Sequence, residues 1–432
     1  MSTRRPFSIG IAGLGTVGCG VIKLLRANAD VVRASAGRPI QIAGVTARRR
    51  GAGRAVSIDR LPWFDSPIAL ASAPGLDCFV EMIGGSEGPA KEAVEAALGR
   101  GVSVVTANKA LLAEHGNALA ALAAQHGAAL AYEPAVAGGI PAMKTLKEGL
   151  AGNAVKAIAG ILNGTCNFIL TEMRQTGRDF TDVLGDAHRL GYAEADPSFD
   201  IDGIDAAHKL ALLAATAFGT SVRFGEIKIE GIRHVSAMDI KFAAELGYRV
   251  KLLATARPVA GRIDQRVQPV LVPEDAPLAA VEGVFNAVLF DADPVGQVTL
   301  VGRGAGAGPT ASAVVADLID LACGRRAPVF GTGSDIAVGA AEGADTVSPC
   351  YMRLMVADRP GVIAEVGAAL RDGGLSIHQL VQHGRATSPD DAVAVLLTTH
   401  PAQSGALDAA LHALAKVSAL REEPRVFRIE GN

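Results

Sequence analysis

The feature that most restricts how this chain can fold is a short apolar strand followed at once by a glycine-rich turn and a helix. Phe7–Ala12 is an apolar run, Gly13-x-Gly15-x-x-Gly18 follows it, and Val21–Leu25 carries apolar residues at helical spacing. Glycines at these positions let the backbone turn tightly and approach a pyrophosphate, which then lies at the amino end of the helix. The pattern predicts a dinucleotide-binding site, and the alternative is a plain tight turn.

The next hundred residues repeat the alternation of strand and helix. Apolar runs predict strands and alanine-rich runs predict helices, with strands at Ile40–Thr46, Cys78–Ile83, Val102–Thr106 and Ala128–Tyr132 and helices at Ala90–Leu98 and Asn117–Gln125. Strands that alternate with helices indicate βαβ units and a parallel, doubly wound sheet. We therefore predict an α/β Rossmann domain over residues 1–135, completed by a helix near 305–325.

After residue 135 the pattern changes to mixed helices and β-rich stretches. The predicted helices are Met143–Leu150, Phe168–Gln175 and Ala206–Phe218, and the β-rich stretches are Ile227–Ile232, Arg249–Ala256 and Ala287–Val301. This predicts an α+β domain over 136–330 with a sheet of its own. Small residues then predict a linker over 331–349. Residues 350–432 follow the order β-α-β-β-α-β, which is typical of a ferredoxin-like domain.

Composition excludes several classes of protein. Lysine and arginine total 41 against 44 acids, so net charge supplies no reason to bind nucleic acid or an anionic membrane. The longest uncharged apolar run, Leu210–Val222, is shorter than the roughly 18 residues that span a bilayer. The five cysteines are scattered and form no Cys-x-x-Cys pair, which argues against a disulfide scaffold or a zinc ribbon. We expect a cytoplasmic protein.

An acidic cluster precedes one lysine in the middle of the chain. Five carboxylates lie between Glu194 and Asp205, but in an EF-hand alignment Lys209 would occupy the position that needs a bidentate glutamate, so a calcium loop is excluded. Asp205 and Lys209 stand four residues apart on one face of a predicted helix start. In a desolvated site such a lysine exchanges a proton with an alcohol oxygen. The alternative is a surface ion pair.

Two further segments carry candidate groups. Lys109 directly follows a predicted strand, where the carboxyl ends of parallel strands face the ligand crevice, and the alternative is an ordinary helix-start lysine. Glu133 opens an irregular Gly/Pro-rich stretch that offers one carboxylate and several backbone carbonyls. Such oxygen ligands suit a small cation, whereas most segments of this kind are domain crossovers.

Three other signals are weaker. The end of the second strand has no acidic residue to bind a ribose hydroxyl, but Arg48–Arg50 follow it. Arginines there suit the 2′-phosphate of NADP, so NADP is preferred over NAD, with a solvated basic turn as the alternative.

Gly302–Thr310 would present backbone N–H groups to an anion or let helices pack closely. Cys166 has no nearby histidine, and we reject it as a nucleophile.

The motifs together resemble one family. Ala187-x-x-x-Gly191-Tyr-Ala-x-x-Asp196-Pro-x-x-Asp200-Ile-x-Gly203-x-Asp205-x-x-x-Lys209 resembles the homoserine dehydrogenase signature. Similar motifs occur in the same order, namely the Gly13–Gly18 turn, Thr106-Ala-Asn-Lys109, Glu133-x-x-Val-x-Gly-Gly-Ile-Pro141, Leu162-Asn-Gly-Thr-Cys-Asn-Phe168 and Gly304–Ser312. The resemblance spans residues 7 to about 330. The tail, with Asp358-Arg-Pro-Gly361 after its first strand, resembles an ACT domain.

The resemblance implies oxidation of L-homoserine to L-aspartate 4-semialdehyde, and the reverse reaction, with NADP or NAD in a catalytic and dimerisation domain over 136–330. It implies that Lys209 exchanges the proton, with Asp205 and Lys109 beside the substrate. The implied substrate-binding residues are Glu194, Asp200, Asp205 and Thr165. The implied cofactor-binding residues are Gly13, Leu14, Gly15, Thr16, Val17, Gly18, Arg48, Lys109, Gly191 and Gly306. For a sodium ion the resemblance implies the carboxylate of Glu133 and the backbone carbonyls of Val136, Gly138 and Ile140.

Partners and alternatives follow from the same resemblance. The ACT-like tail implies a site for an effector amino acid, with threonine expected, or a purely structural role in building a dimer. We expect a homodimer or homotetramer and neither nucleic-acid nor membrane partners. The alternatives are a non-catalytic dinucleotide or amino-acid sensor and a dehydrogenase of another small amino alcohol. The intact set of Lys109, Glu194, Asp205 and Lys209 argues against the sensor, which needs no acid–base pair.

Overall fold

The computed structural model describes residues 5–51, 53–331, 346–384 and 391–430, and the backbone of 337–338. Most of the linker predicted at 331–349 lies outside the described residues. Within the described part of the chain, no helix is both long and apolar enough to cross a membrane.

The amino-terminal region is a parallel sheet with helices on both faces. Its strands are β1 (Phe7–Ala12), β2 (Ile40–Thr46), β3 (Cys78–Glu81), β4 (Ser103–Thr106) and β5 (Leu130–Ala131), and its helices are α1 (Thr16–Ala27), α2 (Ala29–Ala36), α3 (Pro67–Ala71), α4 (Pro89–Leu98), α5 (Lys109–Gln125) and α6 (Glu133–Val136). The strand order is β2-β1-β3-β4-β5, and all pairs are parallel. The chain reverses its direction across the sheet between β1 and β3, where ligand crevices open in such folds. The predicted α/β Rossmann sheet is confirmed, and β1 and β2 have the predicted bounds.

The middle region combines helices with long antiparallel strands. Its elements are α7 (Ala142–Lys144), β6 (Ala154–Ile161), α8 (Gly164–Thr176), α9 (Phe180–Arg189), α10 (Ser198–Ile201), α11 (Ile204–Phe218), β7 (Lys228–Ile229), α12 (Ala237–Glu245), β8 (Tyr248–Val259), β9 (Arg262–Pro273), β10 (Phe285–Asp293), β11 (Gly296–Arg303) and α13 (Ala307–Cys323). The structure divides three of the predicted segments further. The single stretch Ala287–Val301 is the hairpin β10–β11, Ile227–Ile232 contains only the short β7, and Met143–Leu150 divides into α7 and a π-helical turn.

The carboxy-terminal region adds two helices to further strands. Its elements are β12 (Ala337–Val338), β13 (Val347–Ser348), β14 (Cys350–Ala357), α14 (Val362–Asp372), β15 (Ile377–His383), β16 (Ala392–Thr399), β17 (Ala402–Gln403), α15 (Ser404–Leu414) and β18 (Arg425–Ile429). The four long strands lie in the order β18-β14-β16-β15, and α14 contacts α15. A separate apolar core lies between these helices and strands.

One continuous sheet joins the middle and carboxy-terminal regions, so the prediction that the middle region has a sheet of its own is wrong. The order runs β11-β10-β6-β8-β9-β18-β14-β16-β15, and β18 pairs in parallel with β9. β9 pairs with β8 along one edge, which leaves its other edge available to β18 at Val270 and Leu271. A buried ion pair of 2.6 Å between Arg353 Nε and Asp239 Oδ1 also connects the two regions.

Two helix contacts place the regions around a common crevice. α13 packs against α1 so closely that a Cβ on Gly20 would lie 2.7 Å from the Ala307 carbonyl oxygen. A helix of the middle region, α11, contacts α5 of the amino-terminal region, and both contribute to one apolar core. The carboxyl edge of the parallel sheet therefore faces the amino end of α11.

Candidate active site

A cavity of about 700 Å³ lies where the parallel sheet meets the middle region. It brings together Lys109, Asp205 and Lys209 with the predicted substrate-binding residues Glu194, Asp200 and Thr165. Val17, Gly191 and Gly306 of the predicted cofactor set also line it, as do Val136 and Gly138. Residues from both regions thus face one space, so a dinucleotide and a small substrate would meet there.

Asp205 is the centre of the polar groups in this cavity. Its Oδ2 accepts hydrogen bonds from Lys209 Nζ at 2.6 Å and from Asn163 Nδ2 at 2.9 Å. Its Oδ1 lies 3.1 Å from Lys109 Nζ. Lys209 Nζ also donates to the Leu162 carbonyl oxygen at 2.7 Å. One carboxylate therefore connects both candidate lysines.

Local structure explains how these side chains reach the cavity. Asp205 and Lys209 lie one turn apart on the buried helix α11, which begins after Gly203 at φ 85°, a left-handed conformation that favours glycine. Lys109 is the first residue of α5, whose amino end is capped by Asn108 Oδ1 accepting from Leu111 N at 3.1 Å. The predicted placement of Asp205 and Lys209 on one helix face is confirmed.

Charge balance keeps Asp205 ionised. Burial alone would raise the pKa of its carboxyl group, but Lys209, Lys109 and Asn163 outweigh burial and hold that pKa well below its usual range. Burial and the nearby charge of Asp205 instead raise the pKa of Asp200. The two acids differ because the lysines contact only one of them.

The second acid is held by groups at the start of α8. Asp200 Oδ1 accepts from Asn163 Nδ2 at 2.8 Å, and Thr165 Oγ1 lies 3.3 Å from Asp200 Oδ2. Glu194 is exposed at the mouth of the cavity. Asn163 is the functional candidate that was missed from the sequence. It stands in the quoted Leu162–Phe168 motif as a helix-capping type of residue, but its contact with both acids depends on tertiary structure.

The glycine-rich turn has the geometry of a site for a phosphate group. Gly13 has φ 97°, and a Cβ there would lie 2.2 Å from the Met82 carbonyl oxygen. A Cβ on Gly18 would lie 1.9 Å from the Gly13 carbonyl oxygen, whereas a Cβ on Gly15 would meet nothing within 4 Å. Among the described residues no side chain caps the amino end of α1, so its N–H groups remain available to an anion. Leu14 is buried and Thr16 is exposed in this turn.

The basic turn after β2 divides into two parts. Arg48 is exposed at the carboxyl end of the strand. The guanidinium carbons of Arg50 and Arg54 lie 5.8 and 5.9 Å from the centre of the Trp63 ring. Arg50 and Arg54 therefore help to pack the loop, while Arg48 remains accessible for a cofactor phosphate.

The predicted cation ligands do not all face one space. Val136 and Gly138 line the large cavity, but Glu133 lines a second cavity of about 240 Å³ on the other side of the crossover segment. The Glu133 carboxylate accepts backbone hydrogen bonds from Met143 and Lys144 at 3.0 and 2.7 Å. Ile140 lines neither cavity, and its carbonyl oxygen accepts from Ala142 N at 2.7 Å. All the donor atoms are oxygens, which suits sodium, and each carboxylate oxygen retains a second lone pair.

Cys166 is buried, and its Sγ contacts the Asp200 carbonyl oxygen at 3.2 Å. Burial raises the pKa of its thiol well above the ordinary value. The thiol is therefore held in the protonated form, which is a poor nucleophile.

Comparisons with known proteins identify one family across the chain. Residues 141–319 match the family model described as homoserine dehydrogenase, and residues 13–133 match that of the homoserine dehydrogenase NAD binding domain. A homoserine dehydrogenase from Neisseria gonorrhoeae is 42% identical over 435 aligned residues, which cover 99% of each chain. The crystal structure of a homoserine dehydrogenase from Thiobacillus denitrificans has a TM-score of 0.93 at 42% identity, covering 100% of this chain and 99% of that one. A hyperthermophilic archaeal homoserine dehydrogenase in complex with NADPH has a TM-score of 0.62 at 29% identity and covers 73% of this chain and 97% of its own.

Proposed function

The chain belongs to the homoserine dehydrogenase family, and we propose that it interconverts L-homoserine and L-aspartate 4-semialdehyde in the cavity around Asp205. It is an oxidoreductase with a domain for a nicotinamide dinucleotide. The observation that carries the assignment of the site is the contact of one buried carboxylate with both Lys209 and Lys109. No observation favours the alternatives of a sensor or of another amino alcohol as substrate.

Lys209 is proposed to exchange the proton of the alcohol. A nicotinamide held in this cavity would supply the hydride chemistry, at C4 of homoserine in oxidation and at the aldehyde carbon in reduction. In oxidation, neutral Lys209 takes the hydroxyl proton, and in reduction its ammonium form gives one to the aldehyde oxygen. Leu162 and Asp205 together accept two hydrogens of the ammonium group, so one hydrogen remains for the substrate oxygen.

The acids and Lys109 are proposed to hold the zwitterionic substrate. Glu194 and Asp200 offer carboxylates to its amino group, and Thr165 supports Asp200. Lys109 lies at the amino end of α5, facing Asp205, with 30% of its side chain exposed. Because that side chain is more accessible than Lys209, it suits contact with the substrate or the nicotinamide better than sole proton transfer.

The cofactor is proposed to lie along the turn Gly13–Gly18, with Val17, Gly191 and Gly306 facing it. The uncapped amino end of α1 supports a pyrophosphate there. The exposed Arg48 supports NADP as the preferred form, because a guanidinium pairs with a 2′-phosphate.

The sodium site at Glu133, Val136, Gly138 and Ile140 stays a prediction. Its support is a set of oxygen donors on one crossover segment. Glu133 would have to accept a cation in addition to two backbone N–H groups. An increase in the protein's thermal stability with sodium chloride, absent with the chloride of a bulkier cation, would support the site.

The carboxy-terminal region is proposed to be an ACT-like regulatory module for an effector amino acid such as threonine. The order β-α-β-β-α-β and the continuous sheet with β9 support a module that is structurally connected to the catalytic region. A homodimer or homotetramer also stays a prediction. The exposed apolar residues Phe285, Val295 and Val301 on the β10–β11 hairpin support an interface there.

One assay tests the proposed function. The purified chain is mixed with L-aspartate 4-semialdehyde and NADPH, and the loss of NADPH absorbance is followed. We expect turnover, a higher kcat/KM with NADPH than with NADH, and inhibition of the full chain by L-threonine. Binding of NADPH without turnover would contradict the function, whereas equal use of NADH would contradict only the cofactor preference.

A further inference from the structure

Asn163 lies between the two acids of the cavity and has no assigned role. It is the N-cap of α8, is 4% exposed, and its Oδ1 accepts from Cys166 N at 2.8 Å. Its Nδ2 donates one hydrogen to Asp200 Oδ1 at 2.8 Å and one to Asp205 Oδ2 at 2.9 Å. Every hydrogen-bonding atom of this side chain is therefore engaged.

The surroundings allow only one orientation of the amide. If Oδ1 and Nδ2 were exchanged, the NH₂ group would face the N–H of Cys166, and the oxygen would lie between two carboxylates. Both changes replace attraction by repulsion. The cap at the start of α8 thus fixes the direction in which the amide hydrogens point.

The same turn also holds the lysine. Leu162 precedes Asn163, and its carbonyl oxygen accepts from Lys209 Nζ, whose other partner is Asp205. Two adjacent residues of one turn therefore restrain both members of the Asp205–Lys209 pair. Loss of the amide would free Asp205 Oδ2 to move with the ammonium group that it holds.

We propose that Asn163 is a positioning residue of the reaction: its amide bridges Asp200 and Asp205 and thereby sets the direction in which Lys209 faces the substrate oxygen. This inference rests on the proposed function. Asn163 acts through Asp205 and does not itself exchange a proton. A misplacement of reacting groups by about 1 Å costs on the order of 10²-fold in rate.

Substitution by serine separates the two roles of Asn163. Serine caps helices as well as asparagine does, but its single hydroxyl cannot donate to both acids. We expect Asn163→Ser to keep its melting temperature within a few degrees, to keep its KM for NADPH, and to lose about 10- to 100-fold in kcat. Asn163→Asp, which also caps, places a third carboxylate beside Asp200 and Asp205 and should move the acidic limb of the kcat/KM profile to higher pH.

Asn117→Ser is the matched control. Asn117, in the middle of α5, donates to the Val222 carbonyl oxygen and accepts from Val222 N, both at 2.9 Å. Its substitution removes one amide donor bond to a backbone carbonyl and changes one acceptor bond from a backbone N–H, and Asn117 does not line the cavity, so kcat should change by no more than about twofold.

The outcomes distinguish this inference from the proposed function. A wild-type chain that does not reduce the aldehyde contradicts the proposed function. An active wild type with kcat retained in Asn163→Ser overturns the role of Asn163 alone. Loss of NADPH binding and of the melting transition in both Asn163 variants would show a purely structural role and would also overturn the proposal.

Discussion

Two buried clusters of charge lie on opposite sides of the crossover segment that begins at Glu133. In the Asp205 cluster (Asp205, Lys109 and Lys209), one carboxylate faces two ammonium groups. In the Asp317 cluster (Glu133, Asp317, Lys144 and Lys147), which lines the smaller cavity, two acids lie close together and Lys144 pairs with Asp317 at 3.5 Å and with Asp320. The central acids Asp205 and Asp317 are both buried, so burial by itself does not distinguish them.

The two clusters differ in the pKa values of their acids because different numbers of ammonium groups face each carboxylate. The lysines hold the pKa of Asp205 well below its usual range against the effect of burial. Burial raises the pKa of Asp317 to about 6, and burial together with Asp317 raises that of Glu133 to about 7. Burial lowers the pKa of Lys147 to about 8. Asp205 itself therefore stays ionised near neutral pH, as preorganised catalysis requires, whereas the acids of the Asp317 cluster change charge with pH.

Removal of one lysine from each cluster should give the largest contrast between the clusters, and this contrast is in kcat. We expect Lys209→Met to lower kcat by about 10²- to 10⁴-fold, because a general acid and base is lost, while NADPH binding remains. Lys147→Met replaces an ammonium group that contacts the Val329 carbonyl oxygen and the Tyr132 ring, and should leave kcat within about twofold of wild type. Steady-state kinetics with aspartate semialdehyde measures both. Equal losses would mean that the two clusters act in the same reaction.

Neutralising one acid in each cluster should give a smaller contrast, in stability. Asp205→Asn leaves Lys209 and Lys109 facing a neutral amide, and breaking a buried pair in this way costs about 3–5 kcal/mol. Asp317→Asn should cost little or even stabilise the fold at pH 7.5, because burial disfavours the ionised carboxylate, Lys144 keeps Asp320, and Asn Oδ1 still accepts from Glu133 N. Unfolding by urea at pH 7.5 provides both values. A greater loss of free energy of unfolding for Asp317→Asn than for Asp205→Asn would contradict this comparison.

The pH dependence of stability should give the smallest and most specific contrast. The pKa of Asp317 is raised on folding, so its destabilising effect is complete above about pH 6 and disappears as the pH falls towards 3.8. As the pH falls from 6 to 4.5, the free energy of unfolding of the wild type should increase relative to that of Asp317→Asn by up to about 1.4 kcal/mol per pH unit.

The difference in free energy of unfolding between wild type and Asp205→Asn should change much less over this range than the difference for Asp317→Asn, and its small slope should come from Asp200, whose pKa the charge of Asp205 helps to raise. Asp205 has a depressed pKa when folded, so it is ionised in both the folded and unfolded states there, and its contribution is lost only at lower pH. A slope for Asp205→Asn between pH 6 and 4.5 as steep as that for Asp317→Asn would contradict the account of its charge.

The local parts of this structure were predictable from the sequence. β1 and β2 have their predicted bounds because apolar runs end at turn-forming residues, and the spacing of Asp205 and Lys209 places them on one helix face. The sequence pattern did not predict β9. Its Asp264, Gln265 and Arg266 are buried, and Asp264 pairs with Arg266 at 2.8 Å, so the strand lacks the apolar alternation by which strands are recognised.

Long-range contacts account for the rest. The pairing of β18 with β9 joins segments more than a hundred residues apart, and no local pattern encodes it. Asn163 was visible as a cap, but its contact with Asp200 and Asp205 arises only when α8, α10 and α11 meet. The sequence grouped Glu133 with Val136 and Gly138, whereas in the fold Glu133 lines the smaller cavity and Val136 and Gly138 line the large one.

The proton-transfer role of Lys209 is tested most directly by chemical rescue. Lys209→Ala removes the ammonium group and leaves space beside Asp205 in the large cavity, into which a small primary amine such as ethylamine can diffuse. We predict that kcat of this variant increases with ethylamine concentration while the KM for NADPH stays constant, and that Lys147→Ala shows no such response. A Lys209→Ala enzyme that binds NADPH but gains no activity from the amine would contradict the assignment of Lys209 as the acid and base.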